Sequence, residues 1–231
     1  MSSRPDPNPN PEPALPPRPR EDPDPDHPFD VKGFWHWRGY LPHFESAEVI
    51  QSITYRLHDS LPSEVVAALL DAEGRVSSND PEVRRKIERY LDAGHGACWL
   101  RDPSVAESVV RTFRFRDGQA YRLHAWVVMP NHVHLLAQLI APHTLSAEVK
   151  AWKAVTAREV NHRFGRTGSV WQRDYWERYI RDENHYRSVV EYIHQNPVKA
   201  GLAKQANDWP WSSSAEWEER RQLGGVGGPP S

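Results

Sequence analysis

The sequence predicts an α+β fold, with helices packed on an antiparallel sheet, and three observations predict it. Val49 to Leu57 alternates, with Ile53, Tyr55 and Leu57 on one face and Ser52, Thr54 and Arg56 on the other, as a half-buried strand requires. Ala120–Met129 and His132–Ile140 read as two more strands, parted only by Pro130-Asn131. Segments of helical periodicity interleave with these strands.

Taken in order, the chain begins with a biased segment. Eleven of its 21 prolines precede residue 29, and residues 1–30 carry three Arg against seven acidic side chains. Such a stretch cannot bury enough apolar surface to offset its ordering entropy, so 1–30 is expected to be a disordered acidic tail. Residues 31–220 are expected to form one domain, and 221–231, rich in Gly and Pro, a second flexible tail. With 231 residues, 38% of them hydrophobic, the chain suffices for a single core.

Phe34–Phe44 is aromatic without periodicity and reads as a packed lead-in to the first strand. Ser63 caps an expected helix over Glu64–Ala72; Asp80-Pro81 opens another over Glu82–Ala93, closed by Gly94. Asp102-Pro103 opens a third, to about Thr112. A long helix runs from Thr144 or Ser146 to Phe164, with Leu145, Val149, Trp152 and Val160 inward. Gly165–Gly168 break it, and Val170–Ile180 is aromatic and partly extended. Asp182 caps a last helix to Asn196, and Pro197 marks its end.

Several function classes drop out. One cysteine, Cys98, allows neither an intramolecular disulfide nor a Cys-rich zinc site. No apolar run approaches the ~20 residues of a membrane span, and the N-terminus lacks an apolar signal core, so a soluble, cytoplasmic protein is expected. The formal net charge is −2, but Glu148–Lys204 holds eleven basic against seven acidic residues. That mild bias does not by itself imply nucleic acid.

The sharpest local signal is Pro130-Asn131-His132-Val133-His134. Residues two apart on a strand share a face, so His132 and His134 project together and can hold one divalent cation. A structural histidine pair is the competing reading. In the last helix Tyr186, Val189, Val190 and Ile193 form the buried stripe, while Tyr192 and Asn196 lie one turn apart on its flank. Tyr192 there is either a rim aromatic with its hydroxyl in water or a nucleophile; spacing leaves both open. Trp171, Trp176, Trp209 and Trp211 interleave with Arg173, Arg178, Arg181 and Lys204, as core filling or as a base-stacking platform.

Four co-linear runs carry a resemblance: AWVVMPNHVHLL (Ala125–Leu136), VWQRDYWERYIRDE (Val170–Glu183), YIHQNPVKAGL (Tyr192–Leu202) and DWPWSS (Asp208–Ser213). Together they are similar to the REP-associated tyrosine transposases, part of the HUH (His-hydrophobic-His) single-tyrosine transposases of bacterial insertion sequences. The likeness runs from about Gly39 to Ser213 and leaves the Pro-rich tail outside. It implies a ferredoxin-like antiparallel sheet with the HUH motif on a central strand. His132 and His134 match the metal ligands, Tyr192 the catalytic tyrosine, and Asn196 a third ligand one turn later. The implied cofactor is Mg²⁺ or Mn²⁺. The implied partner is single-stranded DNA bearing a REP-like hairpin, cleaved through a 5′-phosphotyrosine by a monomer or homodimer, without a membrane. Arg173, Arg178, Arg181, Trp171 and Lys199 are the expected DNA contacts, and the nucleoid of the bacterial cytoplasm the expected location. The alternative is a domesticated regulator that binds hairpins without cleaving them. A His-metal hydrolase using activated water would have no need of Tyr192.

Overall fold

The computed structural model describes residues 33–38, 41–62, 65 and 81–222. The tail expected over 1–30, the helix expected over Glu64–Ala72 (save Val65) and residues 223–231 lie outside the described residues.

Strands β1 (Phe34–Arg38) and β2 (Leu41–Glu45) pair antiparallel as a separate two-stranded ribbon, where the sequence suggested only an aperiodic lead-in. Pairing between the two strands, with no period-two pattern, makes this element. The ribbon is tied to the main sheet through Phe44, whose N–H donates to Glu177 Oε1 (2.7 Å) and whose carbonyl accepts from Gln51 Nε2 (2.8 Å).

The main sheet contains β3 (Ile50–Arg56), β4 (Tyr121–Val128), β5 (His132–Leu139) and β6 (Trp176–Tyr179) in the order β4-β5-β3-β6, every pair antiparallel. Helices α1 (Pro81–Asp92) and α2 (Pro103–Arg114) join β3 to β4, and α3 (Leu145–Arg163) joins β5 to β6. Numbering the four sheet strands alone, the order is 4-1-3-2 with a βαββαβ path, the ferredoxin-like arrangement. Strand β5, carrying His132 and His134, is central.

The two sheet faces build two cores. Ile53, Tyr55 and Leu57 join Val133, Leu135 and Ala137 against Val109 and Phe113 of α2 and Leu145, Val149, Trp152 and Val160 of α3. Trp152 sets its ring edge-on to Tyr121 at 5.1 Å and donates its indole N–H to the Tyr121 hydroxyl (3.1 Å), so the burial leaves no polar atom stranded. On the opposite face Ala125, Val127 and Leu136 meet Tyr186, Val190 and Ile193 of α4 (Glu183–Lys199). β3 keeps the expected alternation, with Ile53 and Tyr55 fully buried and Ser52 and Thr54 on the other face only half-buried. Arg56, on the supposedly polar face, is 4% exposed, with its guanidinium 5.6 Å from the Trp176 ring centroid and bonded to Ser60 Oγ.

Two local expectations change. Helix α4 continues through Pro197 to Lys199 instead of ending at Asn196. Proline removes only the bond to the Ile193 carbonyl; the Ala200 N–H still reaches the Asn196 carbonyl, and Gly201, at φ +69°, closes the turn. A further helix, α5 (Ser214–Gln222), follows and runs two residues past the expected boundary at 220. Its sequence is polar except for Ala215 and Trp217, so no apolar stripe announced it.

The segment between these helices seals the outer side of β4. Val128 N–H donates to the Trp211 carbonyl (2.8 Å), Ser213 N–H to the Trp126 carbonyl (3.0 Å), and Trp126 N–H to Ser213 Oγ (2.9 Å). The indoles of Trp209 and Trp217 donate to the carbonyls of Val128 and His124. None of the described helices is long and apolar enough to cross a membrane.

Candidate active site

The two-residue turn Pro130-Asn131 places His132 at the first position of β5. Leu57 N–H donates to the Asn131 carbonyl (2.8 Å) and Leu100 N–H to the Pro130 carbonyl (3.2 Å), which pins the turn to two neighbours. His132 and His134 then point to the α4 side of the sheet, 1% and 3% exposed, with ring centroids 4.7 Å apart.

Each imidazole is held from behind. His132 Nδ1 lies 2.7 Å from Asn131 Oδ1, and the Asn131 amide donates to the His95 carbonyl (3.0 Å). A carboxamide oxygen only accepts, so the His132 proton sits on Nδ1 and the Nε2 lone pair faces the site. His134 Nδ1 lies 2.8 Å from Thr54 Oγ1 on β3. Neither Nε2 has a protein partner. Burial pushes the His134 ring down to about 3, and burial plus the neighbouring His134 takes His132 well below its ordinary value. Both rings are thus neutral at physiological pH, the form in which imidazole binds metal.

Helix α4 brings Tyr192 over this pair, its ring 5.3 Å from that of His134. The Tyr192 hydroxyl is buried without a hydrogen-bond partner. Burial, then the negative charges of Glu88 and Asp92, drives its acidity far down. Asn196, one turn later, is 1% exposed with both carboxamide atoms unpartnered. Lys199, one turn further, holds its ammonium 5.0 Å from the Tyr192 ring centroid. Asp92 is raised to about 6 by burial and by Glu88, with Lys199 acting against the shift.

Buried polar atoms without partners are costly, and five meet here: two imidazole nitrogens, both carboxamide atoms of Asn196 and a phenol oxygen. Two nitrogen ligands and one amide oxygen fit a divalent cation that shares its remaining positions with substrate oxygens and water. No group of three or more His, Cys, Asp or Glu among the described residues is arranged to hold a metal. A cation held by the two imidazoles would therefore take its third protein ligand from the carboxamide.

Of the expected DNA contacts, Arg173 and Arg181 are exposed, Arg178 is half-buried on the outermost strand β6, and Lys199 is exposed beside Tyr192. Trp171 requires a correction. It is 5% exposed in the core, edge-on to Tyr55 at 4.8 Å, with its indole N–H spent on Thr156 Oγ1 (3.0 Å), so it offers no face to a base. Thr54, Asn131, Glu88 and Asp92 were missed. Asn131 adjoins the HUH pair in sequence and could have been found; the others have no sequence signal beyond their residue type.

Residues 107–196, which include the histidine pair, Tyr192 and Asn196, match the family model described as "Transposase IS200 like". Among curated proteins, the REP-associated tyrosine transposase of Escherichia coli strain K12 is 37% identical over 100 residues, covering 43% of this chain and 58% of that protein. A putative REP-associated tyrosine transposase of Haemophilus influenzae is 32% identical over 96 residues, covering 37% of this chain and 54% of that protein. The chain thus spans between half and two thirds of the curated relatives it matches. A solved structure of a REP-associated tyrosine transposase bound to a REP hairpin aligns with a TM-score of 0.47 at 22% identity, covering 80% of this chain and 86% of that one.

Proposed function

The chain is related to the REP-associated tyrosine transposases, and from that premise we propose that it cleaves and transfers single-stranded DNA beside a hairpin. Tyr192 is the nucleophile and a 5′-phosphotyrosine the intermediate. The observation that carries this reading is the edge-on contact of Tyr192 with His134, where both imidazole Nε2 atoms and the Asn196 carboxamide lie buried and unpartnered.

His132 Nε2, His134 Nε2 and Asn196 Oδ1 would hold Mg²⁺ or Mn²⁺, which supplies Lewis-acid withdrawal of charge from the scissile phosphate. The remaining work falls to the chain. Asn131 and Thr54 fix the two rings in the orientation that turns Nε2 inward. Helix α4 carries nucleophile and carboxamide as one rigid unit, which keeps the attacking oxygen aligned with the phosphorus. Attack by the Tyr192 oxygen forms the new ester and releases a 3′ hydroxyl; the ester keeps the bond energy, so rejoining needs no nucleotide cofactor. The complete set comes from one chain. Lys199 adds positive charge next to the attacking ring, and Arg173, Arg178 and Arg181 supply phosphate contacts for the hairpin. Such an enzyme would work in the cytoplasm, on the chromosome.

The test is incubation with hairpin-bearing single-stranded DNA and Mn²⁺, followed by a denaturing gel. A covalent adduct mapping to Tyr192 by mass spectrometry is expected. An adduct on another residue, or binding without any adduct, overturns the reading.

A further inference from the structure

Residues opposite each other on paired strands project to the same face of a sheet. Arg56 of β3 stands opposite His132 of β5, and the next pair on that face is Thr54 with His134. The sheet therefore delivers a guanidinium to the face that carries both imidazoles.

That cation is buried without a counter-ion. Arg56 is 4% exposed and makes no ion pair among the described residues; Asp174 acts on it only at longer range. Its hydrogen bonds leave from Nη1 alone, to Ser60 Oγ at 3.2 Å and the Leu57 carbonyl at 3.4 Å. The Trp176 ring centroid lies 5.6 Å from its guanidinium carbon. Nε is buried with no acceptor, and Nη2 has none among the described residues. Nε–H and Nη2–H are parallel donors along one edge of the fork, the geometry that grips phosphate oxygens. A buried, unpaired charge costs stability, and an orphaned donor adds to that cost. An apolar side chain of the same length would fill the place at lower cost, so the fold alone does not account for an arginine.

Resting on the transposase reading above, we propose that Arg56 is a further catalytic residue, whose Nε–Nη2 edge donates to the non-bridging oxygens of the phosphodiester held at His132 and His134. Its fixed charge counters the charge that gathers on those oxygens as Tyr192 attacks. The guanidinium stays protonated throughout, and no bond is made or broken on it. Having no lone pair to give, it is not a metal ligand.

The experiment uses the full chain and hairpin DNA with or without a single-stranded flank. In EDTA, Arg56→Gln should weaken binding of the flanked hairpin about 10–100-fold and leave the bare hairpin within about twofold of wild type. With Mn²⁺ it should slow the adduct about 10²–10³-fold, while the Mn²⁺ concentration for half-maximal rate stays within about twofold. Arg56→Met, with similar length and no charge, should show the same losses and a thermal midpoint at or above wild type. Wild-type affinity for the flanked hairpin in either variant overturns the proposal while the transposase reading stands. A midpoint well below wild type in Arg56→Met assigns Arg56 to the fold and overturns it too. Absence of adduct from the wild-type chain overturns the transposase reading, and the comparison in EDTA still decides whether Arg56 binds the strand.

Discussion

His134 on β5 and Thr54 on β3 sit directly opposite each other in the sheet, and their side chains meet at 2.8 Å. The hydroxyl fixes an imidazole whose other nitrogen must face the site. A metal ligand's orienting partner matters nearly as much as the ligand itself.

Thr54→Val tests this relationship. The substitution removes the oxygen and leaves a buried imidazole nitrogen unpaired, a loss of about 1–3 kcal/mol in stability. In adduct assays the Mn²⁺ concentration for half-maximal rate should rise about 10–100-fold. An unchanged Mn²⁺ requirement would show that Thr54 does not position the ligand.

Tyr192→Phe has two expected effects that separate chemistry from folding. The adduct disappears, because no other oxygen occupies the attacking position. Stability stays level or rises, because the hydroxyl is buried without a well-formed bond and its removal ends a desolvation cost. Thermal unfolding checks the second effect, and a clear drop in midpoint would mean the hydroxyl is firmly bonded in the fold.

Trp171 and Arg173 lie two positions apart in sequence and should behave as different kinds of residue. Trp171→Ala opens a core cavity and should cost about 3–5 kcal/mol, read by urea unfolding. Arg173→Ala should leave stability near wild type and lower the slope of log affinity against log salt by about 1. Loss of hairpin affinity in a stably folded Trp171→Ala would reverse the assignment.

Acid should destabilise the fold before most carboxylates titrate. Burial lowers His124 and His194 to about 4 and His134 to about 3, against about 6.5 in an unfolded chain. The unfolded state therefore binds more protons over that window. The stability these rings contribute is complete above pH 6.5 and drains away as pH falls toward 4. Asp92, raised to about 6, acts in the opposite sense, its contribution being lost as pH rises through that value, but it is one group against several. The melting temperature should fall between pH 7 and 4.5, and less steeply in His124→Gln. A flat profile would contradict the burial of these rings.

Much of this architecture was legible in the chain because period-two alternation and paired turn residues are local properties. β3, β4, β5 and the shared face of His132 and His134 followed from spacing alone. Thr54 did not, because its role depends on the pairing register of two strands about eighty residues apart. Glu88 and Asp92 sit in PEVRRKIERYLD, which reads as a solvated charged helix and gives no sign that its charges raise the pKa of the Tyr192 phenol. Trp171 misled for the opposite reason: neighbouring arginines suggest a binding surface, whereas the side a ring faces is decided by tertiary packing. Pro197 misled through a general rule, since the last turn of a helix tolerates the missing N–H.

The sealing of β4 also sets a schedule for synthesis. Trp126 and the Ser213 that completes its bonding are 87 positions apart, so the ribosome makes the sheet's outer strand long before its cover. At synthesis rates of about 5–20 residues per second this interval is on the order of 10 s. Throughout it, the nascent chain presents open backbone donors and acceptors to neighbouring polypeptides on the same messenger. Substitutions that loosen the Trp209–Trp217 clasp should therefore lower the yield of folded protein more than they lower the stability of the molecules that finish.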